Sequence, residues 1–294
     1  MKLLLTGANG FVGQIMQAAL PCVPLPAGLD LRDRAALDAA IAEIRPDMVI
    51  HLAAQSFVPA SFVNPRETFD INFYGTLNLL GALQSVGFKG RMLFVGSGDT
   101  YGRVPEAALP VREDYPLHPR NPYAVSKLAA EALCYQWSQT SGFEIVMARP
   151  FNHIGPGQSP HFAITDFARQ VTEIRLGRRP PVLQVGDIDV TRDFTDVRDV
   201  ERAYALLLEK GRNGGIYNVC SGREHSIRDL LRQLIALAGV DARIERDPTR
   251  LRPAEQRRMV GSFEALHRDT GWQPLIPIKQ SLQDLLNDWE KQLQ

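Results

Sequence analysis

The most restrictive feature of this 294-residue chain is an apolar run that breaks into glycines at every third position. Residues 2–6 read as a buried strand. Gly7, Gly10 and Gly13 follow within Thr6-Gly7-Ala8-Asn9-Gly10-Phe11-Val12-Gly13, and the pattern then turns helical. Three glycines at that junction permit a tight turn, close approach of backbone to a ligand, and close helix–strand packing. The rest of the first half repeats the strand–helix alternation. A helical pattern over Arg34–Ile44 precedes an apolar run at 48–52, and one over about 67–86 precedes Arg91–Val95. A helix that starts near Tyr123, with Asn121-Pro122 as its start signal, precedes a run at 144–148.

Short strands alternating with helices of this length predict βαβ units. The expected fold class is α/β: a Rossmann-type doubly wound parallel sheet with a smaller, mixed α/β region. Near-continuous apolar strands fit a sheet covered on both faces. The stretch from 20 to 29 is short and proline-rich, so the second strand reads as truncated. Past Pro150 the prolines and glycines cluster and the elements become shorter. Residues 1–150 with about 193–219 are expected to form a dinucleotide-binding domain, and about 151–192 with 220–294 a second one.

Charge narrows the function classes. The 33 basic and 33 acidic residues balance, so no long-range positive field favours nucleic acid or a membrane surface. The arginines between 243 and 258 form a local patch in an otherwise neutral chain. Cys22, Cys134 and Cys220 are odd in number, widely spaced and without a CxxC, which predicts free thiols and no metal site. The N-terminal apolar run is too short for a signal peptide or a span, so a cytoplasmic location is expected.

The glycine turn at the start of a helix is where a pyrophosphate sits, on the positive end of the helix dipole. Tyr123-Ala124-Val125-Ser126-Lys127 places a phenol and an ammonium at i and i+4, on one helix face. A free tyrosine titrates near ~10, and a neighbouring cation favours its phenolate. Ser97, in Phe94-Val95-Gly96-Ser97-Gly98-Asp99-Thr100-Tyr101-Gly102, puts a hydroxyl just past a strand's C-terminal end, where ligands gather in open α/β sheets. Each has a plain structural alternative: a turn, a surface pair, a strand-end cap.

The GxxGxxG turn with Tyr-xxx-Lys resembles the extended short-chain dehydrogenase/reductase family over essentially the whole chain. The resemblance implies an NAD(P)H-dependent oxidoreductase acting on a nucleotide sugar, with Ser97, Tyr123 and Lys127 catalytic. It implies cofactor binding by Gly7, Asn9, Gly10, Phe11, Val12 and Gly13. Asp30 and Leu31 belong to a DxxD-like element whose first Asp meets the adenine; the alternative for this element, a helix N-cap, applies best to Asp33. Leu52, Ala53 and Ala54 end a strand beside the nicotinamide ribose, Asn72 sits in an NxxGT-like element, and Pro150 completes the set. Lys127 also bonds the nicotinamide ribose. NADP and NAD both stay open, because the truncated second strand hides the selecting residue.

Within that family the segment 149–158, with Val185-Gly186-Asp187-Ile188-Asp189, Thr191-Arg192-Asp193-Phe194 and 252–258, resembles the GDP-6-deoxy-D-mannose reductases. Reduction of GDP-4-keto-6-deoxy-D-mannose to GDP-D-rhamnose is the implied reaction. The second domain is then the sugar-nucleotide domain. Ser97, Gly98, Asp99, Tyr123, Asn152, Arg192, Arg252, Glu255 and Arg258 are its expected substrate contacts, the arginines because a guanidinium pairs bidentately with phosphate. His153 and His118 are read as packing residues or without a role. A 4,6-dehydratase carries glutamate where Asp99 stands, which argues against dehydration. Dehydratase and epimerase stay open as alternatives. A non-catalytic dinucleotide sensor is a distant third, since sensors commonly lack the tyrosine–lysine pair. Dimeric relatives pair helices matching 67–86 and 123–141, implying a homodimer.

Overall fold

The computed structural model describes residues 2–250 and 256–294. The chain runs β1 (Leu3–Thr6), α1 (Phe11–Ala19), β2 (Cys22–Pro24), α2 (Arg34–Ile44), β3 (Met48–His51), α3 (Val58–Val63), α4 (Pro65–Phe69) and α5 (Gly75–Ser85). It continues through β4 (Arg91–Val95), α6 (Pro122–Thr140), β5 (Glu144–Pro150), β6 (Asn152–Ile154), α7 (Ala163–Arg175), β7 (Val182–Val185), β8 (Thr191–Asp196) and α8 (Val197–Lys210). The last elements are β9 (Ile216–Val219), β10 (Glu224–Ser226), α9 (Ile227–Ala238), β11 (Arg243–Arg246), α10 (Glu264–Thr270) and α11 (Ile278–Leu293).

Six strands form the central sheet in the order β2-β1-β3-β4-β5-β9, every neighbouring pair parallel. The fold is a Rossmann-type doubly wound α/β sheet. After β1 the chain first steps outward to β2, then crosses back over β1 to β3. That reversal opens a crevice at the carboxyl ends of β1 and β3, the place where open sheets bind ligands. The strand residues explain why both faces are covered. Met92 and Phe94 of β4, with Ile145 and Met147 of β5, bury against α2, α5 and α6. The alternate residues Leu93, Val146 and Ala148 bury against α1, α8 and α10 through Met16, Tyr204, Leu207 and Leu266, with Trp272 just past α10. β2 has only three residues, as its prolines predict.

Boundaries agree closely with the periodicity where caps are strong. Asn121 accepts from Ala124 N at 2.7 Å and starts α6 at Pro122. Asp33 caps α2 the same way. The helix expected from about 67 begins earlier, at Pro65, because Asn64 caps it and Pro65 fits its first turn. It is also not a uniform α-helix: residues Asp70–Tyr74 form a π-helical turn between α4 and α5.

A three-stranded sheet (β10-β8-β6) and a two-stranded parallel pair (β11-β7) lie beyond β5. They pack with α7, α9 and α11 around Phe167, Leu183, Leu231, Leu285 and Trp289. Residues 197–219 return as α8 and β9 to the central sheet, and α10 with Trp272 packs on that sheet too.

Candidate active site

β1 ends at Thr6, and Gly7 turns the chain with φ of 71°. A Cβ on Gly7 would lie 2.6 Å from Ala53 N, and one on Gly13 would lie 2.2 Å from Gly7 O. Neither position accepts a side chain, so the turn, the end of β3 and α1 meet backbone to backbone. Gly10 N donates to Gly7 O at 3.0 Å and Gly10 then caps α1 without a side chain. No acidic residue stands in the first turn of α1. A nonacidic helix N-terminus behind a glycine cradle fits a dinucleotide pyrophosphate. Phe11, the first helical residue, stacks its ring on His153 at 5.9 Å with an interplanar angle of 8°.

The neighbouring expected residues divide in character. Ala53 N donates to Thr6 Oγ1 at 3.1 Å, which seats the Leu52-Ala53-Ala54 strand end against the turn. Asp30 is bound to Arg32 at 2.6 Å, and this guanidinium holds its carboxyl below the ordinary range. Leu31 is buried in the α2–α5 core. Asn72 sits in the π-helical turn, where its Nδ2 donates to Ser126 Oγ at 2.9 Å and its Oδ1 accepts from Gln55 N at 2.8 Å. Ser126 Oγ in turn donates to Tyr123 O at 2.7 Å. His51 lies between Thr6 Oγ1 (2.7 Å) and Thr76 Oγ1 (2.9 Å). Burial, with Lys127 adding repulsion, lowers it to about 3, so it is a neutral strut.

Ser97 follows β4 and caps a single 3₁₀ turn, accepting from Asp99 N at 3.2 Å. The Ser97 side chain stands near enough to the Tyr123 phenol to favour its ionised form, so β4 and α6 deliver the two groups to one point. Tyr123 is 9% exposed. Burial and the Asp99 charge push its phenol above the ordinary tyrosine value, against a lowering by the nearby Ser97 side chain. In the protein alone desolvation outweighs the lowering influences, and Tyr123 holds the proton it would donate. Lys127 is lowered to about 8 by burial, opposed by Cys134 and Glu131. Its ammonium lies 4.7 Å from the centre of the Phe94 ring. Gly98 is packed beneath Phe151, whose ring would be 3.1 Å from an added Cβ, while Asp99 is exposed at the mouth of the site.

Three of the groups expected to face a sugar nucleotide lie beyond β5 and have these contacts. Asn152 is exposed on β6 and donates to Asp193 O at 3.4 Å. Arg192 donates to Thr191 O at 2.8 Å. Arg258 pairs with Glu106 and Glu224, each at 2.8 Å, and so spans from the loop after Tyr101 to β10. Arg252 and Glu255 lie outside the described residues. His153 Nδ1 bonds Phe151 O at 3.0 Å, a packing role as expected. Pro150 ends β5 opposite Val219. Sequence reasoning missed Gln55, His51 and Thr76 as supports, because only the strand order brings them beside α6 and the turn.

A family model described as GDP-mannose 4,6 dehydratase matches residues 27–285. The chain belongs to this family, within the extended short-chain dehydrogenase/reductases. It is 51% identical to the GDP-6-deoxy-D-mannose reductase of Pseudomonas aeruginosa, over 99% of this chain and 98% of the relative. The solved structure of RMD from Pseudomonas aeruginosa complexed with NADPH superposes with a TM-score of 0.94, covering 99% of each chain. The UDP-glucose 4-epimerase of Thermus thermophilus complexed with NAD is 31% identical, with a TM-score of 0.86 over 98% of this chain and 99% of that one.

Proposed function

We propose that this chain reduces the 4-keto group of GDP-4-keto-6-deoxy-D-mannose to give GDP-D-rhamnose, with NADPH as the reductant. The observation that carries the reading is Ser97 placed beside Tyr123, which stands one helical turn before buried Lys127, in a chain 51% identical to a GDP-6-deoxy-D-mannose reductase. Bound NADPH supplies the hydride. Ser97 holds the substrate carbonyl oxygen, and Tyr123 gives it a proton as charge develops there. Lys127 keeps a positive charge next to the phenolate that remains and binds the nicotinamide ribose. Gly7, Gly10 and Gly13 admit the pyrophosphate, and Asn9, Val12, Leu52, Ala53, Ala54, Asp30 and Pro150 line the dinucleotide. Arg192, Arg258 and Asn152 hold the diphosphate and sugar, so Arg258 exchanges a carboxylate partner for phosphate on binding.

Asp99 supports reduction over dehydration, since its carboxylate stops one methylene short of the glutamate a dehydratase uses. The same reading divides the chain into a cofactor unit, built on the central sheet, and a sugar-nucleotide unit beyond β5. It takes the enzyme to be a cytoplasmic homodimer. Support comes from three free thiols and from exposed Tyr74 and Tyr135 on the helices that relatives pair. Among the described residues no helix is long and apolar enough to cross a membrane. The test supplies NADPH with either the keto sugar or GDP-mannose and identifies the products. Consumption of the keto sugar alone, matched by NADPH, is expected; conversion of GDP-mannose would move the chain to the dehydratases.

A further inference from the structure

Arg149 is 2% exposed and lies at the back of the site, where nothing in the proposed reaction uses it. Its partner Glu131 is 3% exposed and lies one helical turn beyond Lys127 on α6, so Tyr123, Lys127 and Glu131 share one face of the helix. The pair is bidentate, Nε to Oε2 at 2.9 Å and Nη2 to Oε1 at 2.7 Å. The second arm of the same guanidinium reaches elsewhere. Nη1 donates to Tyr101 Oη at 3.0 Å and to Glu113 O at 3.1 Å, and the cation lies 4.9 Å from the centre of the Tyr101 ring. Tyr101, fully buried, ends the 3₁₀ turn that begins after Ser97, and its hydroxyl donates to Asn218 Oδ1 of β9 at 2.7 Å.

One planar cation therefore touches the helix that carries Tyr123 and Lys127 and the loop that carries Ser97 and Asp99. Gly96 closes the junction: its N donates to Ala148 O at 2.7 Å, and an added Cβ would meet Glu131 Oε2 at 3.3 Å. Burying a carboxylate and a guanidinium is a poor way to gain stability, because desolvation offsets most of the attraction. Fixing two catalytic elements at a set distance is what a rigid fork does well.

We propose that the Glu131–Arg149–Tyr101 cluster is a positioning device that sets the Ser97–Tyr123–Lys127 geometry from between α6 and β5. The inference rests on the reductase reading for its kinetic readout. The charged and titratable groups around Lys127 are Tyr123, Glu131 and Cys134 on α6, His51 on β3, and Arg149 on β5 behind Glu131.

The test compares E131Q, R149M and the apolar pair E131L/R149M with the parent chain, measuring melting temperature, NADPH affinity by fluorescence, and kcat and KM for the keto sugar. Each single change is expected to lower the melting temperature by leaving one buried charge unpaired, and the apolar pair to recover it. Catalysis is expected not to recover: kcat stays down roughly 10²-fold in the folded pair, while KM for the sugar moves far less. NADPH affinity falls several-fold in the pair as Lys127 loses its place under the ribose. Recovery of kcat and NADPH affinity along with the melting temperature would overturn the proposal and leave a structural brace. Should the apolar pair not fold, R149K keeps the cation without the fork; a parental kcat in it would overturn the proposal equally. A parent chain that binds NADPH but leaves the keto sugar untouched would defeat the reductase reading alone. The NADPH affinities of the variants then decide the inference, unchanged values sinking it.

Discussion

Lys127 is 4% exposed, and burial lowers its ammonium from 10.5 to about 8. A lysine whose folded value is depressed withholds stability below that value, and the loss is relieved only as pH climbs toward the unfolded one. At pH 7 the buried cation costs on the order of 3 kcal/mol. K127M is therefore expected to raise the melting temperature at pH 7, by a gain that shrinks between pH 8 and 10.5, while turnover is lost. A melting temperature unchanged at both ends of that window would contradict the burial argument. The same titration sets the alkaline limb of the reaction. Reduction needs Tyr123 protonated and Lys127 charged; Tyr123 is raised and stays protonated, so kcat should fall as pH passes about 8. A flat kcat through pH 9 would show that the charge on Lys127 is not used.

At the scale of elements, the turn into α1 is the most exacting piece. G13A adds a methyl that would sit 2.2 Å from Gly7 O, so α1 must move away from the turn it serves. NADPH affinity is expected to drop by about fivefold or more, the effect of an overpacked backbone contact of about 1–3 kcal/mol; parental affinity would show that the cradle is not the pyrophosphate seat. Strands, helix starts and this turn were legible in the sequence because each is a local pattern. Apolar periodicity marks β4 and α2, Asn121-Pro122 marks α6, and glycine spacing marks the turn. Tyr123 and Lys127 were legible for the same reason, being four residues apart. Glu131 and Arg149 are 18 residues apart and on different elements, so neither announces the other until α6 packs on β5. The π-helical turn carries no periodic signature, and it is what brings Asn72 within 2.9 Å of Ser126.

Across the whole molecule, the balanced charge hides how the arginines are spent. Those read as a basic patch are largely paired in the described residues: Arg250 with Asp166, Arg257 with Asp187, and Arg258 with Glu106 and Glu224. Composition shows the cations and not their partners, which only folding supplies: Asp166, Asp187 and Glu224 from the same region and Glu106 from the first. Such pairing also links the regions, since Arg258 bridges the loop after Tyr101 to β10. R258A should then raise KM for the sugar nucleotide about tenfold or more, as expected for a lost phosphate contact of 1.5–3 kcal/mol, with NADPH affinity unchanged. The helix faces bearing Tyr74 and Tyr135, 48% and 50% exposed, predict twice the chain mass by light scattering at micromolar concentration. A monomeric mass would remove the dimer from the account. The most direct test of the central claim is NADPH oxidation, followed by absorbance, with GDP-4-keto-6-deoxy-D-mannose supplied to the parent chain and to Y123F. The account predicts steady oxidation yielding GDP-D-rhamnose in the parent and a loss of roughly 10²-fold or more in Y123F. Oxidation with neither NADPH nor NADH, or an undiminished rate in Y123F, would contradict it.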